Sequence, residues 1–179
     1  MKSLDFSQNY FELFGLNPDF NLDAERLQAR QQQLLATCHP DRFVNASDRE
    51  KRLSVQMASW VNQANETLRD PVKRAAYLLQ VSGVEAGDQS ETTSDTAFLM
   101  EQIELREEIE ACRGGDDALN CCDQISLKLD HRASQLAQEF VSNFAARNLE
   151  AARLSGRKMQ FIQRIQQQLS DLQFELEDN

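Results

Sequence analysis

A single proline, Pro40, flanked by His39 and Asp41 and set between two stretches of helical periodicity, constrains this chain more than any other feature. Pro40 has no amide hydrogen and a fixed φ, and its ring pushes His39 out of the α region toward extended geometry. The helix carrying Leu27, Leu34 and Leu35 therefore has to stop by about Cys38. Asp41 is a turn former whose carboxylate accepts backbone hydrogen bonds or stays open to a cationic partner. The expected outcome is two helices joined by a stiff polar tip, a contact point rather than a reaction centre.

Elsewhere the chain has little to interrupt a helix, with three prolines and six glycines in 179 residues. An all-α fold is expected. Asn9 to Phe14 reads as a short first helix. Asp23 is placed to cap a second that runs to about Cys38, with Leu27, Gln31, Leu34 and Cys38 on one face. Ser47 or Asp48 caps a third, whose stripe is Leu53, Met57, Trp60, Val61, Ala64 and Leu68. It should lie antiparallel to the second. Asp70-Pro71 ends it and begins a fourth, because a proline in the first turn of a helix costs no hydrogen bond. Residues 81–94, poor in apolar side chains, read as a linker. Asp95 caps a helix to about Arg113, ended by Gly114-Gly115. Two longer ones follow, from Asp116 to about Ala146 and from Asn148 to about Leu176. Short turns between long helices predict an antiparallel three-helix bundle over 95–179.

Four motif blocks occur in order over the first 80 residues: Asn9-Tyr10-Phe11-Glu12-Leu13-Phe14-Gly15-Leu16, the run ending Cys38-His39-Pro40-Asp41-Arg42-Phe43, Val61 to Pro71, and Lys73-Arg74-Ala75-Ala76-Tyr77. Together they resemble a J-domain, spanning 1–80. Three positions depart from that pattern. Cys38 and Asn65 stand where large rings are common, and Arg42 stands in place of lysine, keeping the charge but changing donor geometry.

Charge divides the chain in the same place. Residues 1–80 carry 10 basic and 10 acidic side chains, whereas 81–179 carry 9 and 19, which accounts for the net −10. An acidic second half argues against nucleic acid and anionic membrane as partners. No apolar run has the length of a transmembrane helix, and there is no signal-peptide pattern, so a cytoplasmic protein is expected. The four cysteines (Cys38, Cys112, Cys121, Cys122) form no CxxC pair and have only His39 and His131 beside them, so no metal site is expected. Adjacent Cys121 and Cys122 make a poor disulfide with each other, and reduced thiols are the expectation.

The helix from Asp95 has two apolar faces at 100° per residue. Phe98, Gln102, Leu105, Ile109 and Cys112 form an ordinary core stripe. Leu99, Met100, Ile103, Glu104 and Glu107 occupy another arc. These either pack on the fourth helix or the linker, or form an exposed apolar patch edged by carboxylates that takes a protein partner. The run Asp95-Thr96-Ala97-Phe98-Leu99-Met100-Glu101-Gln102-Ile103-Glu104-Leu105-Arg106-Glu107-Glu108 looks like the signature of the HscB-type iron–sulfur co-chaperones, and Arg157-Lys158-Met159-Gln160-Phe161 also matches. That resemblance implies that Leu99, Met100, Ile103, Glu104, Glu107 and Phe161 contact an iron–sulfur cluster scaffold protein (IscU-type). Phe161 also lies near the core stripe Leu154, Ile165, Leu169, Leu172 and Leu176, so packing is its other role.

The same resemblance implies a specialised DnaK-class chaperone ATPase (HscA-type) as first partner. It would be engaged by His39, Pro40 and Asp41 with the basic side chains Arg26, Arg30 and Arg42. The chain would stimulate that ATPase and carry neither a cofactor nor catalytic residues of its own. Cys38 and His39 are not expected to form a dyad, since neighbours on an extended segment point to opposite sides. Two rivals are a general J-protein for unfolded clients, which lacks support from any Gly/Phe-rich or zinc-finger segment after residue 80, and a helical adaptor in which the tripeptide is only a turn.

Overall fold

The computed structural model describes residues 6–38, 40–43, 46–84, 95–114 and 117–178, and every regular element among them is helical. Two compact units, Met1–Val84 and Glu85–Asn179, divide the chain.

In the first unit α1 (Tyr10–Phe14) is closed at both ends by its own sequence. Asn9 and Glu12 exchange side-chain to backbone hydrogen bonds in a capping box, and Gly15 ends the helix in the left-handed conformation with φ 63°. α2 (Ala24–Cys38) starts where Asp23 Oδ1 accepts from the Arg26 amide at 3.0 Å. After a 3₁₀ turn, Pro40–Phe43, α3 (Asp48–Arg69) begins under a second capping box between Ser47 and Glu50. Asp70 then stops α3 in extended geometry and caps α4 (Pro71–Val81), its Oδ1 accepting from Val72 N at 2.8 Å and Lys73 N at 3.0 Å. α2 and α3 pack together, with Gln31 Nε2 donating to Asn62 Oδ1 at 3.1 Å. Phe11, Phe14, Leu27, Cys38, Met57, Val61, Ala64, Leu68, Ala75, Leu78 and Leu79 form the buried core. α1 is fastened to α4 by the stacked rings of Tyr10 and Tyr77, 4.4 Å apart, and by the Tyr10 amide donating to the Tyr77 hydroxyl at 2.9 Å.

Asn65 is half-buried. It lines a cavity of about 160 Å³ between α2 and α3, together with Leu22, Leu27, Gln28, Gln31, Arg69 and Arg74. An amide cannot fill the volume of an aromatic ring, so the sequence departure noted at this position has a packing consequence.

The second unit holds α5 (Thr96–Arg113), α6 (Ala118–Ala145) and α7 (Leu149–Glu177). Polar pairs set the helix directions. Glu108 meets Lys128 and Glu101 meets Arg132, so α5 and α6 run antiparallel. Asp130 meets Gln166 and Asp123 meets Gln173, so α6 and α7 do as well. Ile125, Leu129, Leu136 and Phe140 of α6 face Ala152, Met159, Ile162, Ile165, Leu169 and Leu172 of α7 in the core.

Three expectations change. α4 runs through Val81, and Val84 N bonds back to Leu79 O at 2.9 Å, so the linker does not begin at 81; residues 85–94 lie outside the described residues. Leu154 is not core but 36% exposed: it lies one turn before Lys158, the residue of α7 that meets the start of α5 at Asp95. The cysteines are not all free thiols: Cys112 and Cys121 are joined as a disulfide with Cα atoms 5.6 Å apart, while Cys38 and Cys122 remain buried thiols. The antiparallel packing of α5 and α6 brings together two positions that spacing rules for metal ligands do not connect.

Candidate functional site

The polar tip follows from how α2 ends. A helix leaves its last carbonyls without partners, and Arg42 Nη1 donates to one of them, Ala36 O, at 2.9 Å. This bond ties the 3₁₀ turn to α2. His39 and the side chains of Pro40 and Asp41 lie outside the described residues. Among the basic residues expected beside the tip, Arg26 is exposed on α2. Arg30 is half-buried instead. Its Nε donates to Phe14 O at 2.9 Å and its Nη1 to Gln33 Oε1 at 2.9 Å. A Cβ at Gly15 would stand 3.1 Å from Arg30 Nη2, so the glycine serves both the left-handed turn and this close approach. Cys38 faces the core, its Sγ donating to Leu34 O at 3.3 Å, and burial pushes its thiol pKa up. A buried, protonated thiol is a poor nucleophile.

α5 presents the second candidate surface. Phe98, Ile109 and Cys112 are buried, and Leu105 and Gln102 are half-buried, as the core stripe requires. On the other arc Leu99 is 36% exposed, Met100 52% and Ile103 49%. Glu104 and Glu107 are exposed at the same edge. These five positions sit at spacings of one, three and four along one helix and make a continuous strip. Within the second unit no other helix covers it.

The strip faces outward because the rest of α5 is anchored. Lys158 Nζ of α7 meets Asp95 Oδ2 at 2.6 Å, and Arg132 of α6 holds Glu101 through both carboxylate oxygens at 2.6 and 3.0 Å. Lys128 meets Glu108 at 3.0 Å and Arg113 meets Glu175 at 3.5 Å. The bidentate Arg132–Glu101 pair is the most directional of these, and the Glu101 carboxylate raises the pKa of Arg132. Asp95 is held below the usual carboxylate range, first by its hydrogen bond from Lys158 and then by the Phe98 amide that it caps.

Phe161 lies beneath this helix rather than on its outer face. It is 6% exposed, its ring meets Phe98 edge-on at 5.4 Å, and the Arg106 guanidinium stands 5.8 Å from its centroid. The anchors Lys128, Arg132 and Lys158 were missed from the sequence because each meets its carboxylate across 20, 31 or 63 residues, a separation without a local signal.

Among the described residues no cluster of three or more His, Cys, Asp or Glu side chains is placed to hold a metal ion, and no helix is long and apolar enough to cross a membrane. Among the described residues of α5 the apolar strip stands exposed. The chain is similar to known proteins over most of its length. A family model described as the HSCB C-terminal oligomerisation domain matches residues 94–170. A co-chaperone protein HscB homolog of Shewanella halifaxensis is 38% identical over 174 residues, covering 95% of this chain and 99% of that one. Among solved structures, the chaperone HscB from Vibrio cholerae superposes with a TM-score of 0.84 at 34% identity, over 94% of this chain and 99% of its own. Human co-chaperone protein HscB gives 0.87 at 28% identity, over 95% and 84%. Matched from end to end in both sequence and helix arrangement, the chain belongs to the HscB family of co-chaperones.

Proposed function

We propose that this co-chaperone stimulates the ATPase of a DnaK-class, HscA-type chaperone and delivers to it the scaffold protein, IscU-type, on which iron–sulfur clusters are built. The cluster is cargo, and ATP turnover belongs to the partner. The observation that carries the reading is the strip Leu99, Met100 and Ile103, three large apolar side chains left exposed on α5 and rimmed by Glu104 and Glu107. A monomeric surface seldom keeps such a strip without a use, and the rim gives a partner's basic groups a register. Phe161 contributes from below by fixing the height and rotation of α5 through its edge-on contact with Phe98.

At the other unit, which acts as a J-domain, His39, Pro40 and Asp41 engage the chaperone. Arg26 supplies exposed positive charge, Arg42 stiffens the turn through Ala36 O, and Arg30 holds α1 against α2. Binding of the tip favours the chaperone conformation competent for hydrolysis, a shift between existing states. Carrying both contacts on one chain raises the effective concentration of scaffold protein at the chaperone. On this reading the pairing takes place in the cytoplasm.

The test is the steady-state ATPase rate of the chaperone with scaffold protein and either wild type, His39→Gln, or the triple variant Leu99→Ala/Met100→Ala/Ile103→Ala. Stimulation by wild type, its loss with His39→Gln, and loss of the scaffold-dependent part alone with the triple variant are expected. Equal stimulation by wild type and His39→Gln would reduce the tripeptide to a turn and favour an adaptor. Equal delivery of an unfolded peptide and the folded scaffold would favour a general J-protein.

A further inference from the structure

The disulfide between Cys112 and Cys121 takes no part in either contact surface, yet it bonds the helix that carries one of them. Cys112 lies in the last turn of α5 and Cys121 in the first turn of α6, their Cα atoms 5.6 Å apart, inside the range an unstrained backbone bridges. The cysteines differ in access. Cys38, Cys112 and Cys122 are buried, whereas Cys121 is half-buried and keeps some contact with solvent. One residue along a helix turns a side chain by about 100°, so Cys121 looks toward the end of α5 while Cys122 enters the core. Burial, and then Asp123, push the Cys122 thiol pKa up, which removes it as a competitor.

We propose that Cys112 and Cys121 are a reversible redox modification site, entered at Cys121 by a small disulfide or thiol of the glutathione class, and that its oxidised form clasps the C-terminal end of α5 to α6. In the forward direction the Cys121 thiolate attacks one sulfur of the small disulfide. That S–S bond breaks, one small thiolate leaves, and Cys121 carries the mixed disulfide. Cys112 as thiolate then attacks Cys121 Sγ, forming the protein disulfide and releasing the second small thiol. Two protein thiols are oxidised and one small disulfide is reduced, and the two protons lost by the cysteines are taken up by the two departing thiolates. Reduction runs the same steps backward, again through Cys121, because the Cys112 side chain is buried.

The clasp acts on the exposed strip through its position. Near its start α5 is held by Asp95–Lys158 and Glu101–Arg132. Past Glu108, among the described residues, α5 is held besides the disulfide by the packing of Ile109 and Cys112 and by the exposed Arg113–Glu175 pair, which water and salt weaken. Glu104 and Glu107 lie between these two zones. On the reading that the strip binds a scaffold protein, the redox state of the pair sets how stiffly its distal half is presented.

The experiment uses the full chain equilibrated in buffers of graded reduced-to-oxidised glutathione ratio, alkylated, digested and mapped by mass spectrometry. A Cys112–Cys121 linked peptide that appears and disappears with the ratio is expected. Cys112→Ser should trap a single glutathione on Cys121, and Cys121→Ser, a change at a half-buried position, should leave the other three cysteines unmodified in the folded protein. Amide exchange over 107–113 should be about tenfold slower in the oxidised form. Absence of the linked peptide at every ratio, or adducts on Cys38 or Cys122 instead, overturns the site; a link that leaves exchange unchanged overturns the clasp. Neither readout involves a partner, so a chain that links as expected and fails to bind scaffold protein would discredit the strip's role and not the redox site.

Discussion

α2 and α5 are built alike and used differently. Each is a helix of about four or five turns laid on a longer one, yet α2 turns Arg26, Gln28, Gln32 and Gln33 to solvent while α5 turns Leu99, Met100 and Ile103. α2 is amphipathic in the ordinary sense, so its orientation follows from its own residues. α5 is apolar on two arcs, and either arc could have faced the bundle. The arc that is buried carries the ring of Phe98 with Ile109 and Cys112, and with these inward Glu101 and Glu108 meet Arg132 and Lys128. The ion pairs thus flank the buried arc while the other apolar arc stays open.

That contrast is broken most severely at the tip. His39→Gln is expected to abolish stimulation of the chaperone ATPase while leaving the melting temperature unchanged, which separates a contact role from a structural one. At α5, Leu99→Ala/Met100→Ala/Ile103→Ala should weaken scaffold binding about a hundredfold, as loss of clustered apolar anchors does; calorimetry should show a much smaller effect on the thermal transition than loss of a core side chain, because all three are partly exposed. Phe161→Ala should do the reverse at the level of folding. Removing a buried ring costs about 3 kcal/mol, read as a lower denaturation midpoint in urea, with scaffold binding falling only as α5 loses its seat.

Two smaller effects sharpen the account of the anchors. Glu101→Gln should cost about 1 kcal/mol of stability, since one charge-assisted fork in a partly exposed place is replaced by a neutral bond, and the loss should shrink in high salt. Asp95→Asn keeps a side chain able to cap but discards the charge that Lys158 holds. Because the Asp95 pKa is depressed in the folded state, its contribution is fully present above the ordinary carboxylate value of about 3.9 and fades as pH falls through the lower folded value. Thermal melts of wild type and Asp95→Asn should differ at neutral pH and converge in acid. A difference that persists there would assign the effect to the cap.

Local chemistry made most of the first unit legible. The stops at Cys38 and Asp70, the caps at Ser47 and Asp70, and the buried stripe Met57, Val61, Ala64 and Leu68 all follow from residues within a turn or two of one another. The disulfide was not legible in this way, because it depends on where a turn returns the chain. Arg30 was legible as a charge and not as a clamp, since its acceptor is a carbonyl 16 residues away. Leu154 matched the period of its helix, but a period assigns a residue to a face without saying how far along that face a neighbouring helix reaches.

By itself, then, the sequence determined the helices, their ends, the break between α2 and α3, and which residues share the strip on α5, because backbone sterics, capping and periodicity act over a few residues. Tertiary structure alone decided that the strip faces outward, that Phe161 supports it from beneath, and that Cys112 finds Cys121. Those outcomes depend on charges, rings and sulfurs brought together only when separate helices pack, and no local preference encodes that meeting.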